Sequence, residues 1–415
     1  MVSRIRFVAV LALLCLPLGA ALAGEMVLHT FEKIVLTEQF FCEGANYGDF
    51  NQDGKMDIVA GPYWYEGPDF KVKHEYYPAK PLKKENYSEN FFTWVYDFNG
   101  DKYPDILVVG MPGLPGYWYE NPKGKDGMWV KHKIFDVVDS ESPGFGDING
   151  DGKPELICTF AGQLGWAAAD WADAAKPWKF HAVSAKGKWH KYSHGLGWGD
   201  VNGDGKMDML EGEEKAWWEQ QADPAAMWVK HPQDFGSGAQ ILVYDVNGDG
   251  LNDVITSLSA HQYGLAWFEQ VKADNQITFK KHLIMGSKPE ENKYGVKFSQ
   301  PHALDLVDMD GDGVKDFVVG KRHWAHGPQG DPESQAPAVL YWFRTVRSKD
   351  GVEFVPYLID NDSGVGTQVV TGDVNGDGLP DVVVGNKRGC FVFIHKTQKV
   401  SQEEWEKAQP KLLKP

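Results

Sequence analysis

A nine-residue acidic loop recurs seven times along this chain, which confines it to folds built from one repeated unit. The clearest copy is Asp200-Val201-Asn202-Gly203-Asp204-Gly205-Lys206-Met207-Asp208, and the others start at Asp49, Asp97, Asp147, Asp245, Asp308 and Asp373. Each reads Asp-x-Asn/Asp-x-Asp, usually Gly, then two residues and a closing acid, with an apolar run directly after it. Oxygens at positions 1, 3 and 5 with a carboxylate at 9 make the hard, oxygen-only cage that Ca²⁺ takes. The candidate ligands of the first three loops are Asp49, Asn51, Asp53 and Asp57; Asp97, Asn99, Asp101 and Asp105; and Asp147, Asn149, Asp151 and Glu155. Those of the last four are Asp200, Asn202, Asp204 and Asp208; Asp245, Asn247, Asp249 and Asp253; Asp308, Asp310, Asp312 and Asp316; and Asp373, Asn375, Asp377 and Asp381. Gly at position 6 supplies the sharp turn, except that Lys102 replaces it in the second copy. No amphipathic helix flanks any copy, which separates these loops from EF-hands. Up to seven structural Ca²⁺ sites are expected.

The loop starts are 48, 50, 53, 45, 63 and 65 residues apart, and the same items surround each of them. A short aromatic and β-branched stretch leads in, as in Ile241-Leu242-Val243-Tyr244. An apolar strand ending in Gly follows in several copies, such as Ile106-Leu107-Val108-Val109-Gly110. Next comes an aromatic strand (Trp64-Tyr65-Glu66, Trp217-Trp218-Glu219), then a strand ending in His (His74, His132, His181, His231, His282). Four short strands per unit and no helical period predict an all-β, seven-bladed β-propeller. The seventh unit lacks its fourth strand, and Phe31-Glu32-Lys33-Ile34-Val35-Leu36 is the candidate that closes the ring and hides a sheet edge.

With its trailing apolar strand, this loop resembles the FG-GAP/VCBS repeats of integrin-α propellers and of many secreted bacterial proteins. The resemblance covers nearly all of the chain after residue 23 and implies Ca²⁺ loops between the first and second strand of each blade. The layout more distantly resembles the propeller part of aldos-2-ulose dehydratase-type proteins, though without their cupin domains.

The chain opens with Arg4 and Arg6, an apolar run from Phe7 to Leu18, and Ala21-Leu22-Ala23. That pattern predicts a signal peptide over 1–23 and a secreted or periplasmic protein. The propeller is then expected over 24–396. A tail over 397–415 is expected to hold a short helix, from the capping-box spacing of Ser401 and Glu404. No other apolar stretch is long enough to span a bilayer. The formal charge of −16 excludes the basic footprint of a nucleic-acid binder. Cys42, Cys158 and Cys390 form no disulfide framework by spacing and are expected to be buried, inert thiols.

Repeat register sorts the remaining candidates. Six residues before each loop stand Glu43, Phe91, Glu141, His194, Ala239, His302 and Thr367, which share one ring at the channel mouth. After the second strand come His261 in unit five, Lys321, Arg322 and His323 in unit six, and Lys387 and Arg388 in unit seven. His194, His261, His302 and His323 are therefore expected in one pocket, with Glu43, Glu141, Arg322 and Lys387 around its rim; the four histidines and Arg322 are the candidate catalytic residues. Two insertions, 286–301 and 324–338 (the second containing His326), are expected to wall it. The fourth-strand histidines, by contrast, repeat with the fold and are read as consensus surface or packing residues.

Imidazoles in this number suit a transition metal such as Zn²⁺, or proton abstraction beside a carbonyl or carboxylate. Two function classes follow. One is a carbohydrate-active enzyme of the lyase or dehydratase type with these residues catalytic. The other is a non-catalytic module for binding carbohydrate or protein, or for adhesion.

Overall fold

The computed structural model describes residues 26–224, 226–274 and 276–414, so the expected signal peptide lies outside the described residues. The chain divides into a larger unit, 29–396 with 410–414, and a small one whose described parts are 26–28 and 397–409. The small unit holds the helix Gln402–Ala408. Its start is fixed reciprocally: the Ser401 hydroxyl accepts from Glu404 N–H, and the Glu404 carboxylate accepts from Ser401 N–H. No helix among the described residues is long and apolar enough to cross a membrane.

The larger unit is all-β. Every acidic loop joins two antiparallel strands, for example Leu196–Gly199 to Asp208–Glu211 and Gln240–Tyr244 to Asp253–Ser257. The turn is made by left-handed backbone at loop positions 4 and 6, as at Gly203 (φ 79°) and Gly205 (φ 86°). Lys102 adopts the same conformation at φ 78°, where a side chain is strained. The closing acid is fully buried and staples the loop to the end of the third strand. Asp208 accepts from Val201 N–H and from Gln220 N–H, both at 2.9 Å. Asp57, Asp105, Asp253, Asp316 and Asp381 repeat that pair of bonds.

The strand after each loop is buried on both faces, which is why it reads as a continuous apolar run. Its side chains alternate between two cores. In Asp105–Val109, Ile106 and Val108 pack with Val59 and Trp64 of the unit before, while Leu107 and Val109 pack with Leu156 and Ala167 of the unit after. Each apolar cluster draws on two consecutive units in this way. One of them joins the last unit to the first, setting Val383, Cys390 and Val392 against Cys42, Ala45 and Ile58.

The fourth-strand histidines have a packing role that their repetition anticipates. Each lies opposite a third-strand tryptophan and stacks on it: Trp64 and His74 at 4.0 Å between centroids, Trp217 and His231 at 4.0 Å, Trp267 and His282 at 4.4 Å. Except in the third unit, where Ala168 takes its place, a glutamate two residues after the tryptophan holds the ring, as Glu219 does for His231 at 2.7 Å. In the last unit the pair is His395 and Phe31, stacked at 4.9 Å. The aromatic partner there comes from Met26–Thr37, the strand beside Gly389–Val400 in a sheet of four.

Candidate functional site

The strands that lead into the loops contact one another from unit to unit, and the first of them, Ala45–Gly48, also contacts Val369–Gly372 of the last. This brings together the residues six places before each loop. Arg322 lies among them, 1% exposed. Its guanidinium donates to Glu141 Oε1 at 2.6 Å, Glu43 Oε1 at 2.7 Å and His302 Nε2 at 2.9 Å, and lies 5.4 Å from the Phe91 ring centroid. Four of the seven equivalent positions thus meet at one cation. Thr367 joins through backbone, its N–H donating to Glu43 O at 2.9 Å. Burial opposes the charge on Arg322, but the two carboxylates outweigh it and raise its pKa further.

Beside Arg322, the ligand atoms of Glu141, His194, His261 and His302 all lie within 4.8 Å of one another. His194 Nε2 is 3.1 Å from His261 Nε2 and 3.3 Å from Glu141 Oε2, and His302 Nε2 is 3.5 Å from Glu141 Oε1. Burial keeps the three imidazoles neutral: His194 is lowered, His302 falls to about 4, and His261 is driven far down. Glu141 is buried too, yet its bond to His302 and the charge of Arg322 hold it well below the usual carboxylate range. Neutral imidazoles and an ionised carboxylate are donors of the kind a divalent transition metal takes.

A second pair stands at its open side. His326 Nδ1 is 2.8 Å from Asp331 Oδ1, and the His326 ring lies 4.4 Å from that of His261. The bond to Asp331 raises the His326 pKa. The Asp331 side chain is almost fully buried whereas His326 is half exposed, so the imidazole faces solvent with its orientation set from behind. Both belong to the 324–338 insertion. The 286–301 insertion braces that segment through Ser299 Oγ, which donates to Pro332 O at 2.6 Å, and through an ion pair of Lys297 with Glu333. Left-handed, non-glycine backbone clusters here as well, at Ser140 (φ 85°), Gln300 (φ 58°) and Trp324 (φ 56°). Such strain gathers where a site dictates the backbone.

Register therefore places His194, His261, His302 and Arg322 together, with Glu43 and Glu141 among them. His323 lies elsewhere. It stacks on Trp324 at 4.7 Å in a cleft shared with Lys84 and Arg388. Its place in the expected quartet is taken by Glu141, which sequence reading had put on the rim. Side chains alternate along an extended segment, so Arg322 and His323 cannot both enter the ring. Lys387 sits nearby and donates to Trp324 O at 2.9 Å. Asp331 was not anticipated, because it lies in an insertion with no counterpart in the other units.

The acidic loops display their oxygens as a group. In the sixth, the ligand atoms of Asp308, Asp310 and Asp312 lie within 4.8 Å of one another. Arg344 reaches into this loop, with Nε 2.5 Å from Asp310 Oδ2 and Nη2 3.1 Å from Asp312 Oδ2. Burial raises the closing acids, Asp57, Asp253 and Asp381 to about 6 and Asp105, Glu155, Asp208 and Asp316 to about 7.

A family model described as an FG-GAP-like repeat matches residues 97–158, the second and third loops. Another, described as an FG-GAP repeat, matches residues 365–389, around the seventh. The chain carries FG-GAP repeats. With the repeated antiparallel hairpins and shared cores above, these FG-GAP repeats make the fold a β-propeller. A T-cell immunomodulatory protein homolog of Plasmodium falciparum (isolate 3D7) is 23% identical over 209 residues, 39% of this chain, and the chain spans 28% of that relative's length. Among solved structures, virginiamycin B lyase from Staphylococcus aureus matches with a TM-score of 0.47 and 13% identity, over 90% of this chain and 100% of that one. An exotype rhamnogalacturonan lyase matches with a TM-score of 0.43 and 12% identity, over 88% of this FG-GAP chain and 72% of its own.

Proposed function

We propose that this is a secreted, calcium-binding, seven-bladed β-propeller closed by its N-terminal strand, and that it acts on carbohydrate by elimination at the ring mouth. One observation carries the reading: His194, His261, His302 and Glu141, from four consecutive units, aim their ligand atoms into one space beside the His326–Asp331 pair.

The fit to a metal rests on spacing. A tetrahedral Zn²⁺ with bonds of about 2.0–2.1 Å sets its ligands about 3.3 Å apart. The separations of 3.1 and 3.3 Å match that requirement. His194, His261 and Glu141, through Oε2, would hold the ion, with His302 beside them and its Nε2 bonded to Arg322. When bound with that fourth position open, it would supply Lewis-acid polarisation of a substrate oxygen. The chain's own residues do the rest. His326, with Nδ1 committed to Asp331, offers Nε2 to take a proton from carbon next to a carbonyl or carboxylate. Asp331 steadies the imidazolium that results, and His326 returns the proton to the departing oxygen as its bond to the β carbon breaks and the carbon–carbon double bond forms. Arg322 is too buried to touch substrate and acts by positioning Glu141 and His302. Ca²⁺ in the acidic loops would favour the ionised form of closing carboxylates that burial raises, so its role is structural.

The test is elemental analysis of the purified protein together with an assay for the absorbance of an unsaturated sugar product. Calcium and about one transition-metal ion per chain are expected. Chelation should lower thermal stability, since a metal that binds only the folded loops stabilises the fold. His326→Asn should abolish turnover while oligosaccharide binding persists, and His132→Ala should leave turnover unchanged. Binding without turnover in the parent protein would instead identify a non-catalytic carbohydrate-binding module.

A further inference from the structure

His323 is one residue beyond Arg322 yet serves a different space, a cleft bordered by Lys84, Trp324, Asp362 and Arg388. The residue is 8% exposed and its Nδ1 has no hydrogen-bond partner among the described residues. A buried polar atom left unpaired costs roughly 1–3 kcal/mol, so its persistence calls for a reason. After burial, the charges that bear most on this ring are all cations: Arg388, Lys84, Lys321 and Lys387. Together they hold the imidazole neutral, with a pKa of about 3. Asp362 is the carboxylate lining the cleft, and it is paired with Arg388. Positive charge therefore gathers at one point of a chain whose formal charge is −16.

The backbone gives a second, independent sign. Trp324 is held in the left-handed region at φ 56°, costly for a large side chain. It is fixed there by Lys387 Nζ on its carbonyl at 2.9 Å and by Tyr87 Oη on Ala325 O at 2.8 Å. This conformation presents the indole as the platform against which His323 stacks.

We infer that this cleft binds an oxyanion, the carboxylate or sulfate ester of an acidic saccharide, and so selects which sugar reaches the neighbouring His–Glu cluster. Lys84 and Arg388 supply the charge, and His323 Nδ1 supplies a neutral donor that needs no proton taken up from solvent. The oxyanion stands on the cleft itself, whereas the saccharide rests on the carbohydrate reading above.

The experiment is calorimetric titration of the calcium-loaded full chain with trigalacturonate, a sulfated galactose trisaccharide and neutral galactotriose. At least one acidic probe should bind about tenfold or more tightly than the neutral one, the worth of a charge-assisted hydrogen bond. Lys84→Gln with Arg388→Gln should erase that preference and leave neutral binding unchanged. Equal binding of all three probes, or a preference that survives the double substitution, overturns the inference. Should the double variant fail to fold, the parent decides alone: acidic binding must weaken with added salt while neutral binding does not. Charge-dependent binding without turnover supports the cleft and counts only against elimination. Turnover of the neutral probe with no preference for charge does the reverse.

Discussion

The Sγ atoms of Cys42 and Cys390 lie 3.6 Å apart in the core, although 348 residues separate them along the chain. They sit in the apolar cluster that joins the last unit to the first. Small local movement would bring them to the disulfide distance of about 2.05 Å. Protein without residues 1–23, and so without Cys15, refolded with a disulfide oxidant such as oxidised glutathione should be about 2 Da lighter, with one alkylatable thiol, Cys158, after denaturation. Its melting temperature should rise, because the cross-link closes a long loop in the unfolded chain, and Cys42→Ser should remove the gain. Three alkylatable thiols after such treatment would count against the pairing.

Lys102 occupies the turn that glycine takes in the other six loops, at φ 78° against 84–86° for those glycines. Lys102→Gly should therefore stabilise the protein by about 1 kcal/mol, read as a shift of the denaturant midpoint with unchanged slope. The same change removes a cation beside the second loop, so calcium titration should show tighter binding at one site.

Arg322 is paired with two buried carboxylates, Glu43 and Glu141. Arg322→Met leaves both charges buried without their partner and should cost about 3–5 kcal/mol in urea denaturation. Replacing Glu43 with Gln in the same chain should recover part of that loss. Independent, additive effects would show that the two do not interact.

Burial lowers the Lys321 pKa from its ordinary 10.5 to about 8. A group lowered in this way is bound more tightly by protons in the unfolded chain, so the folded state gains as pH rises through the interval from about 8 to 10.5. Lys321→Met has no such charge to bury. The stability of the variant relative to the parent should therefore be greatest near pH 7 and shrink toward pH 10. A difference that stays constant across that range would mean the amine is not held neutral-prone by its site.

How much of this was legible in the chain follows from what a repeat can fix. Equivalent positions in successive units acquire equivalent surroundings. The sequence by itself therefore determined the all-β fold, the hairpin loops, the Trp–His stacks and the ring shared by Glu43, Glu141, His194 and His302. Each is a local period written seven times over, and chain geometry repeats wherever the period does. Only the tertiary structure decided what breaks that period. It turned Arg322 inward and His323 away, laid Arg344 across the sixth loop, and brought Asp331 behind His326 from an insertion found in one unit. It also set Cys42 against Cys390, which no spacing announces because the contact exists only once the last unit meets the first. These relationships depend on packing between non-equivalent segments far apart in the chain, and the register of one unit carries no information about the side chains another will bring to it.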